Sequence, residues 1–552
     1  MAVSRALRHR WLYVGGNLTR PESLESRLAL LPRAQAAGYN TIVLSDGTFQ
    51  RLDKTDPSLY ENYRVFQRAA RDRGLDLLPG IMSFGYGGAF LGHDRNLAEG
   101  LPVKEALFVV RGQAAVHRPD PAIELKDGGF EAAEGDRFTA WDGQDDAGRS
   151  IFADHAVVHG GRTSVRMENF PPAKEDEPQS RVWQVVRVRP LAQYRISFWV
   201  KCEDLDTPAG VVTVCARSGK HPARQLNFTE LPLARTQDWT RFHVDFNSLE
   251  DEKIILYVGT WGAKSGRLWW DDVSLQELGL VNVLRRPGCP VAVRGEDGTV
   301  YEEGRDFAPI SDPNFHLAND DHPSPTIALL PGSRLRDGDR LRVSYYHPVV
   351  MWAHQIVNCL SEPVIFELVE DQVRRVEELL HPSGFFMQHD EIRVVNWCQA
   401  CQSLGKDAGG VVGENVRRCL EIIRRYRPDA KVWAWSDMYD PFHNAGVGFP
   451  ERDSEFHYLN NGPLGGAWEA LPSEVGIVNW GSHVPEKNLR WFAERGHEQV
   501  LAGYYDGDMD GARIVSWLAK GEGLPNITGA MYTTWQNGYD TMEAWAKAAW
   551  GE

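Results

Sequence analysis

The chain has 552 residues, 42% of them hydrophobic and 25% charged, with a formal net charge of −16. Those values exclude wholesale disorder, a collagen-like repeat and a disulfide miniprotein, and no apolar run reaches the roughly 18 residues of a membrane-crossing helix. The acidic balance repels polyanions, which sets nucleic acid and anionic membranes aside as partners. The 19 tryptophans are the other unusual figure, because indole rings either fill cores or stack on sugar faces.

The N-terminus passes from Met1–Arg10 directly into the apolar Trp11–Val14, without the h-region of a secretion signal. Seven cysteines spread over so long a chain give no disulfide framework, so a cytoplasmic, reducing location is the expectation.

In chain order, hydrophobic periodicity predicts strands over Trp11–Gly15, Thr41–Ser45 and Leu75–Met82, separated by helices over Ser23–Ala37 and Tyr60–Arg73. Short connections in a β-α-β-α-β order imply parallel strands. From about Asp120 to Tyr346 the pattern changes to short alternating strands punctuated by Gly, Pro and Asp, such as Gln193–Cys202, Gly210–Ala216, Arg241–Phe246 and Ile254–Val258. The alternation then resumes with helices over Pro363–Leu380, Gly410–Tyr426, Glu486–Arg495, Gly511–Ala519 and Thr541–Trp550. The strands between them are Gly384–Gln388, Lys431–Trp435, Val475–Trp480, Gln499–Tyr504 and Ile527–Thr533. Eight such units fit a (β/α)8 TIM barrel interrupted after its third strand by an all-β insertion. The expected division is 1–118 and 349–552 for the barrel, 119–278 for a jelly roll, and 279–348 for a smaller β unit. An open doubly wound sheet is the alternative, disfavoured by the lack of a Gly-rich phosphate loop.

In a barrel, function belongs at the C-terminal ends of the strands. Those ends carry Arg20 beyond strand one, Asp46 after strand two, and Ser83–Tyr86 after strand three. They continue with His389-Asp390-Glu391, Trp435 and Asp437, Trp480, then Tyr504-Tyr505-Asp506, and finally Trp535 and Asn537. Carboxylates and an arginine can chelate hydroxyl pairs while indoles pack on pyranose faces, so the rim reads as a sugar site. Asp390 and Glu391 are the leading catalytic pair, since an adjacent anion raises a carboxyl's pKa towards that of a general acid. The bland alternative is that one of them caps a helix or pairs with Arg393. A retaining glycosidase also needs a second carboxylate as nucleophile. The only glutamate near strand seven, Glu498, lies at its wrong end.

His389-Asp390-Glu391, with the Trp-rich rim, resembles the signature of glycoside hydrolase family 20, the β-N-acetylhexosaminidases. That resemblance implies that the substrate's own 2-acetamido oxygen attacks the anomeric carbon. It casts Glu391 as general acid/base and Asp390 as the residue orienting the acetamido nitrogen. Tyr505 (or Tyr504) would bond the acetamido oxygen, and Trp435, Trp480 and Trp535 would wall its methyl group. Family 20 ends strand eight in Trp-x-Glu, whereas this chain has Trp535-Gln536-Asn537, and the family's usual N-terminal domain is missing. The chain is therefore expected to be a divergent relative: an exo-acting glycosidase on a terminal β-linked N-acetylhexosamine, with an oligosaccharide or glycoconjugate substrate and no required cofactor. The alternative enzyme acts on a neutral hexose or a plant or algal sugar, with Asp437 or Asp506 as second carboxylate. An alternative of another class is a non-catalytic carbohydrate-binding protein.

The inserted block, opening on Asp127-Gly-Gly-Phe-Glu131 and closing on Leu268–Leu275, is similar to jelly-roll carbohydrate-binding modules. Many of those modules bind a structural calcium, which makes Glu131, Asp271 and Asp272 candidate ligands, with turn and solvation roles the alternative. Cys398-x-x-Cys401 lacks a second such pair or a His pair, so it reads as free core thiols rather than as a zinc site.

Overall fold

The strand-and-helix alternation closes on itself. Parallel pairing runs through β1 (His9–Gly16), β2 (Thr41–Asp46), β3 (Asp76–Ile81), β4 (Gly384–Met387), β5 (Lys431–Trp435), β6 (Gly476–Asn479), β7 (Gln499–Ala502) and β8 (Ile527–Tyr532), which pairs back with β1. The computed structural model describes residues 7–551, apart from 172–178, 209–211, 221–223, 228, 230, 318–320, 352–354, 447–457, 481–483, 505 and 508–510.

Parallel neighbours require crossovers, carried by α1 (Pro21–Ala36), α2 (Tyr60–Arg71), α3 (Pro363–Leu380), α4 (Ala408–Tyr426), α5 (Pro485–Glu494) and α6 (Ala512–Lys520), while α7 (Met542–Trp550) follows β8 and packs against it. Their limits follow local chemistry. Proline occupies the first turn of α1, α3 and α5, where its missing N–H costs nothing, and the Asp407 carboxylate caps α4 by accepting from the Gly410 N–H at 2.7 Å.

The period of two along each strand separates two cores. Trp11 and Tyr13 point into the barrel with Val43, Leu78, Phe386, Trp433, Trp435 and Val478. Their neighbours Leu12 and Val14 point outward under the helices, beside Ile42 and Leu44. The Trp11 and Trp433 rings meet edge to face at 4.7 Å. β6 begins with Gly476 because a Cβ there would lie 2.2 Å from the Trp433 indole.

The jelly-roll-like block is two packed antiparallel sheets. One has the order Gln237–Asn247, Gln193–Asp206, Ser265–Glu277, Ser164–Met167, Ile151–Asp154; the other runs Val212–Ser218, Lys253–Thr260, Ser180–Arg187, Gly143–Gln144. The carboxylates proposed for calcium meet the turn at 159–163. Glu131 accepts from the Arg162 N–H at 2.8 Å, Asp271 from the His159 N–H at 2.8 Å, and Asp272 lies 2.6 Å from His159 Nδ1.

One expected boundary moves. Residues 101–117 do not extend the barrel: Leu101–Arg111 and Ala114–His117 belong to a six-stranded sheet with Arg340–His347, Ala292–Gly295, Val300–Tyr301 and Ile327–Ala328. Leu101 pairs with His347 and Val109 with Arg340, across more than 200 residues of sequence. Val103, Ala106, Phe108 and Val110 fill a separate core with Val293, Leu341, Val343 and Tyr345. The chain thus starts the smaller β unit, detours through the sandwich, and returns to complete it.

Candidate active site

The cavity at the C-terminal mouth of the barrel has a volume of about 850 Å³. β4 ends at Met387, and the chain then turns at Glu391, whose φ of 50° is left-handed. That bend lets two consecutive side chains, Asp390 and Glu391, line the same cavity. The loop after β3 lies against this turn so closely that a Cβ at Gly85 would be 2.1 Å from the Asp390 carbonyl oxygen. Glycine is obligatory there.

Each carboxylate has a distinct set of partners. Glu391 accepts from Arg393 Nη2 at 2.5 Å through one oxygen and from the Tyr86 hydroxyl through the other. Arg393 is fixed in turn by its Nε–H donation to Gln355 Oε1 at 2.6 Å, while Gln355 donates to the Glu391 carbonyl at 2.7 Å. Behind them, Asp437 accepts from the Glu391 N–H at 2.8 Å, Asn444 Nδ2 at 3.0 Å and Trp480 Nε1 at 3.2 Å. Asp390 is half-buried in the cavity wall. That enclosure, with Asp437 and Glu391 close by, holds its carboxyl well above the usual range. Burial likewise raises Asp437 to about 6. Three carboxylates therefore crowd near one guanidinium, an arrangement that favours the neutral form of Asp390 and of Asp437.

The walls are aromatic. Tyr13, Trp435, Trp480 and Trp535 line the cavity, with Tyr13 and Trp535 at 5.3 Å between ring centroids and Trp435 and Trp535 at 5.9 Å. Trp535 is 53% exposed and open to a ligand at the mouth. The floor is polar: Gln388 Nε2 donates to Ser45 Oγ at 2.9 Å and points towards the Tyr13 hydroxyl.

Of the residues singled out in the sequence, Asp390, Glu391, Asp46, Trp435, Trp480 and Trp535 line this cavity. Asp437 supports it from behind. Asp46 also serves the framework, accepting from the Leu18 and Thr48 N–H groups, each at 2.8 Å, and from the Tyr63 hydroxyl at 2.9 Å.

Others sit elsewhere. His389, expected at the rim, does not face the cavity, because alternation along the chain turns it into the core. It lies 3.0 Å from Asn415 Oδ1 and against Phe84, and burial lowers its pKa to about 4. Arg20 is exposed at the start of α1. Tyr504 is buried and stacked on Tyr532 at 4.4 Å. Asp506 is occupied with the loop after β8, accepting from the Thr534 hydroxyl and from the N–H groups of Trp535 at 2.6 Å and Gln536 at 3.1 Å. Asn537 is exposed and accepts from Arg27 Nη2 at 2.9 Å. Tyr505 lies outside the described residues.

Sequence reasoning passed over Tyr13 and Gln388; Arg393 it named only as a pairing partner for the acidic residues, and it does pair with Glu391 at 2.5 Å. Tyr13 could have been found as an inward residue of β1 on the same face as Trp11, and Gln388 as the residue that opens the β4 exit.

No family model matches the chain, and no curated protein matches it. Solved structures give faint likenesses. A family 16 carbohydrate binding module-2 is 20% identical, covering 27% of this chain and 97% of its own at a TM-score of 0.20. A Flavobacterium johnsoniae chitobiase is 9% identical over 99% of this chain and 48% of its own, with a TM-score of 0.36. A rhamnosidase from Novosphingobium sp. PP1Y is 9% identical over 97% of this chain and 56% of its own, with a TM-score of 0.34. The chain thus spans about half the length of either enzyme. Likenesses this weak carry no argument, and the barrel is established by its own strand pairing.

Proposed function

We propose that the protein is an exo-acting glycoside hydrolase that removes a terminal β-linked N-acetylhexosamine with the help of the substrate's own acetamido group. The observation that carries this reading is the side-by-side exposure of Asp390 and Glu391 to one indole-walled cavity at the mouth of the barrel. Burial and the nearby Asp437 favour the neutral form of Asp390. An acetamido N–H arriving at Asp390 stabilises its anion, and the proton moves to the neighbouring carboxylate Glu391. The acetamido oxygen then attacks the anomeric carbon, the glycosidic C–O bond breaks, and the leaving oxygen takes the proton from Glu391. Water enters, Glu391 recovers a proton from it, and the cyclic intermediate opens to the free sugar with the anomeric configuration retained. Trp435, Trp480 and Trp535 supply the apolar faces against which a pyranose ring packs.

Asp390's elevated pKa also favours a second reading, in which Asp390 is itself the proton donor and Glu391 the anionic partner on a neutral sugar. Asp437 and Asp506 are poor nucleophiles in either case, since their oxygens already accept from backbone and side-chain donors. A panel of nitrophenyl glycosides separates the readings. Cleavage of N-acetyl-β-hexosaminides alone, blocked by a thiazoline inhibitor, supports the first. Cleavage of neutral glycosides and indifference to the thiazoline supports the second. Calorimetric sugar binding with no turnover on any glycan would leave a carbohydrate-binding protein.

A further inference from the structure

The fold gathers a second cluster that the proposed reaction does not use. The chain leaves the barrel for the insertion through Glu99, returns through Cys359, and continues past β4 to Cys398 and Cys401. One oxygen or sulfur from each of these four buried residues lies within 4.8 Å of the others. The Cys359 Sγ atom is 3.6 Å from that of Cys398 and 3.8 Å from that of Cys401, and Cys401 Sγ is 3.6 Å from Glu99 Oε2. Sulfur atoms bound 2.3 Å from one tetrahedral zinc stand about 3.8 Å apart, the spacing seen here, whereas a disulfide would need about 2.05 Å.

We propose that Glu99, Cys359, Cys398 and Cys401 hold one thiophilic divalent cation, zinc being the ion their sulfur-rich tetrahedral spacing fits best. This replaces the reading of Cys398-x-x-Cys401 as free core thiols, which could not see that the fold adds Cys359 and Glu99. The surroundings suit the charge. Glu99 is oriented through its other oxygen, which accepts from the Trp397 N–H at 2.8 Å and the Cys398 N–H at 3.0 Å. The Arg286 guanidinium, anchored on Glu362 at 2.5 Å and on the Ala98 carbonyl at 3.1 Å, sets a positive charge beside the anionic ligands. Cys289 lies against Cys398 but is not among the four groups whose ligand atoms all lie within 4.8 Å of one another.

The role is structural. None of the four residues lines the sugar cavity, so the inference is independent of the glycosidase reading. The ion would tie both ends of the 260-residue excursion through the β units to the loop that carries Glu391, seven residues before Cys398.

The test is the metal content of the full-length protein purified without chelator in zinc-containing medium, read by plasma mass spectrometry. One zinc per chain is expected. It should be released on titrating the thiols with a mercurial, and cobalt exchange should give the thiolate charge-transfer and tetrahedral bands. Cys398→Ser/Cys401→Ser should lose the metal, Glu99→Gln should weaken it, and Cys289→Ser should keep it. If the serine variants do not fold, dialysis of the wild-type protein against a strong chelator gives the same readout, with a downward shift of the melting temperature. Metal-free protein with freely titrating thiols, or a Cys359–Cys398 disulfide found by mass spectrometry, would overturn the proposal. Loss of zinc in Cys289→Ser with retention in Glu99→Gln would overturn the part given to Glu99.

Discussion

Asp437→Asn is the most informative single change behind the active site, because one buried carboxylate there serves three donors. It accepts from the Glu391 N–H at 2.8 Å and Asn444 at 3.0 Å through one oxygen, and from the Trp480 indole at 3.2 Å through the other. Asparagine keeps the shape but offers one acceptor oxygen and an amide N–H. If that oxygen keeps the Glu391 and Asn444 bonds, the amide faces the Trp480 N–H, donor against donor. An unsatisfied buried donor costs about 1–3 kcal/mol, which sets the expected loss in stability. A kinetic loss should accompany it. Glu391 and Trp480 are both positioned through Asp437, and a displacement of about 1 Å in a catalytic group costs on the order of 10²-fold in rate. Trp480→Phe removes the competing indole donor, so the double variant should recover part of the stability, with a coupling of about 1 kcal/mol or more. Thermal melts and kcat/KM on the best aryl glycoside for all four proteins measure both quantities. An Asp437→Asn variant with wild-type melting and kcat/KM, and additive behaviour with Trp480→Phe, would refute this account of the cluster.

Asp390→Asn should cost about 2–4 kcal/mol of transition-state stabilisation and depress kcat more than it raises KM, on every substrate including those with good leaving groups. Azide should not rescue it, and trapping a glycosyl ester on any Asp or Glu by mass spectrometry would overturn the substrate-assisted mechanism. His389 gives a stability–pH prediction. Its folded pKa of about 4 lies below the ordinary 6.5, so the unfolded state binds the extra proton between those values and stability falls as pH drops from 6.5 to 4. At about 1.4 kcal/mol per pH unit the loss is about 3 kcal/mol. His389→Asn should flatten that part of the urea-denaturation profile, and an unchanged slope would contradict it. Trp433→Ala should destabilise the barrel by about 3–5 kcal/mol, because it empties the interior between Trp11 and Gly476. A melting temperature within a degree of wild type would show that the interior is not packed as described.

The barrel was legible because each strand announces itself locally. Pro363–Leu380 is a helix over the very range its periodicity predicts, and all eight strands fall within a few residues of expectation. The smaller β unit was only half legible. Leu101–Arg111 reads as one more apolar strand after β3, and its partner Arg340–His347 lies beyond anything a local pattern can reach. The same limit hid the metal-type cluster, of which only the Cys398–Cys401 pair is adjacent in sequence. Within the site, strand ends located Asp390, Glu391 and the three indoles, since the barrel fixes where chains emerge. The period of two along β4 already turns His389 away from the cavity that Gln388 lines, whereas the left-handed turn at Glu391, which brings two consecutive carboxylates to one face, is not written in any local pattern. Nor could such a pattern foresee that Asp506 would be used by the β8 loop, a role set by where Thr534 and Trp535 lie in space.

The central claim, that Asp390 and Glu391 at this cavity hydrolyse glycosides, is tested most directly by turnover of an unactivated oligosaccharide with a terminal β-linked N-acetylhexosamine by wild type and Glu391→Gln. The binding of the free sugar to the variant should be measured by calorimetry on the same preparations. The account predicts release of the monosaccharide by wild type, a loss of orders of magnitude in Glu391→Gln on natural glycosides, and sugar binding preserved. Wild-type turnover in Glu391→Gln would contradict it.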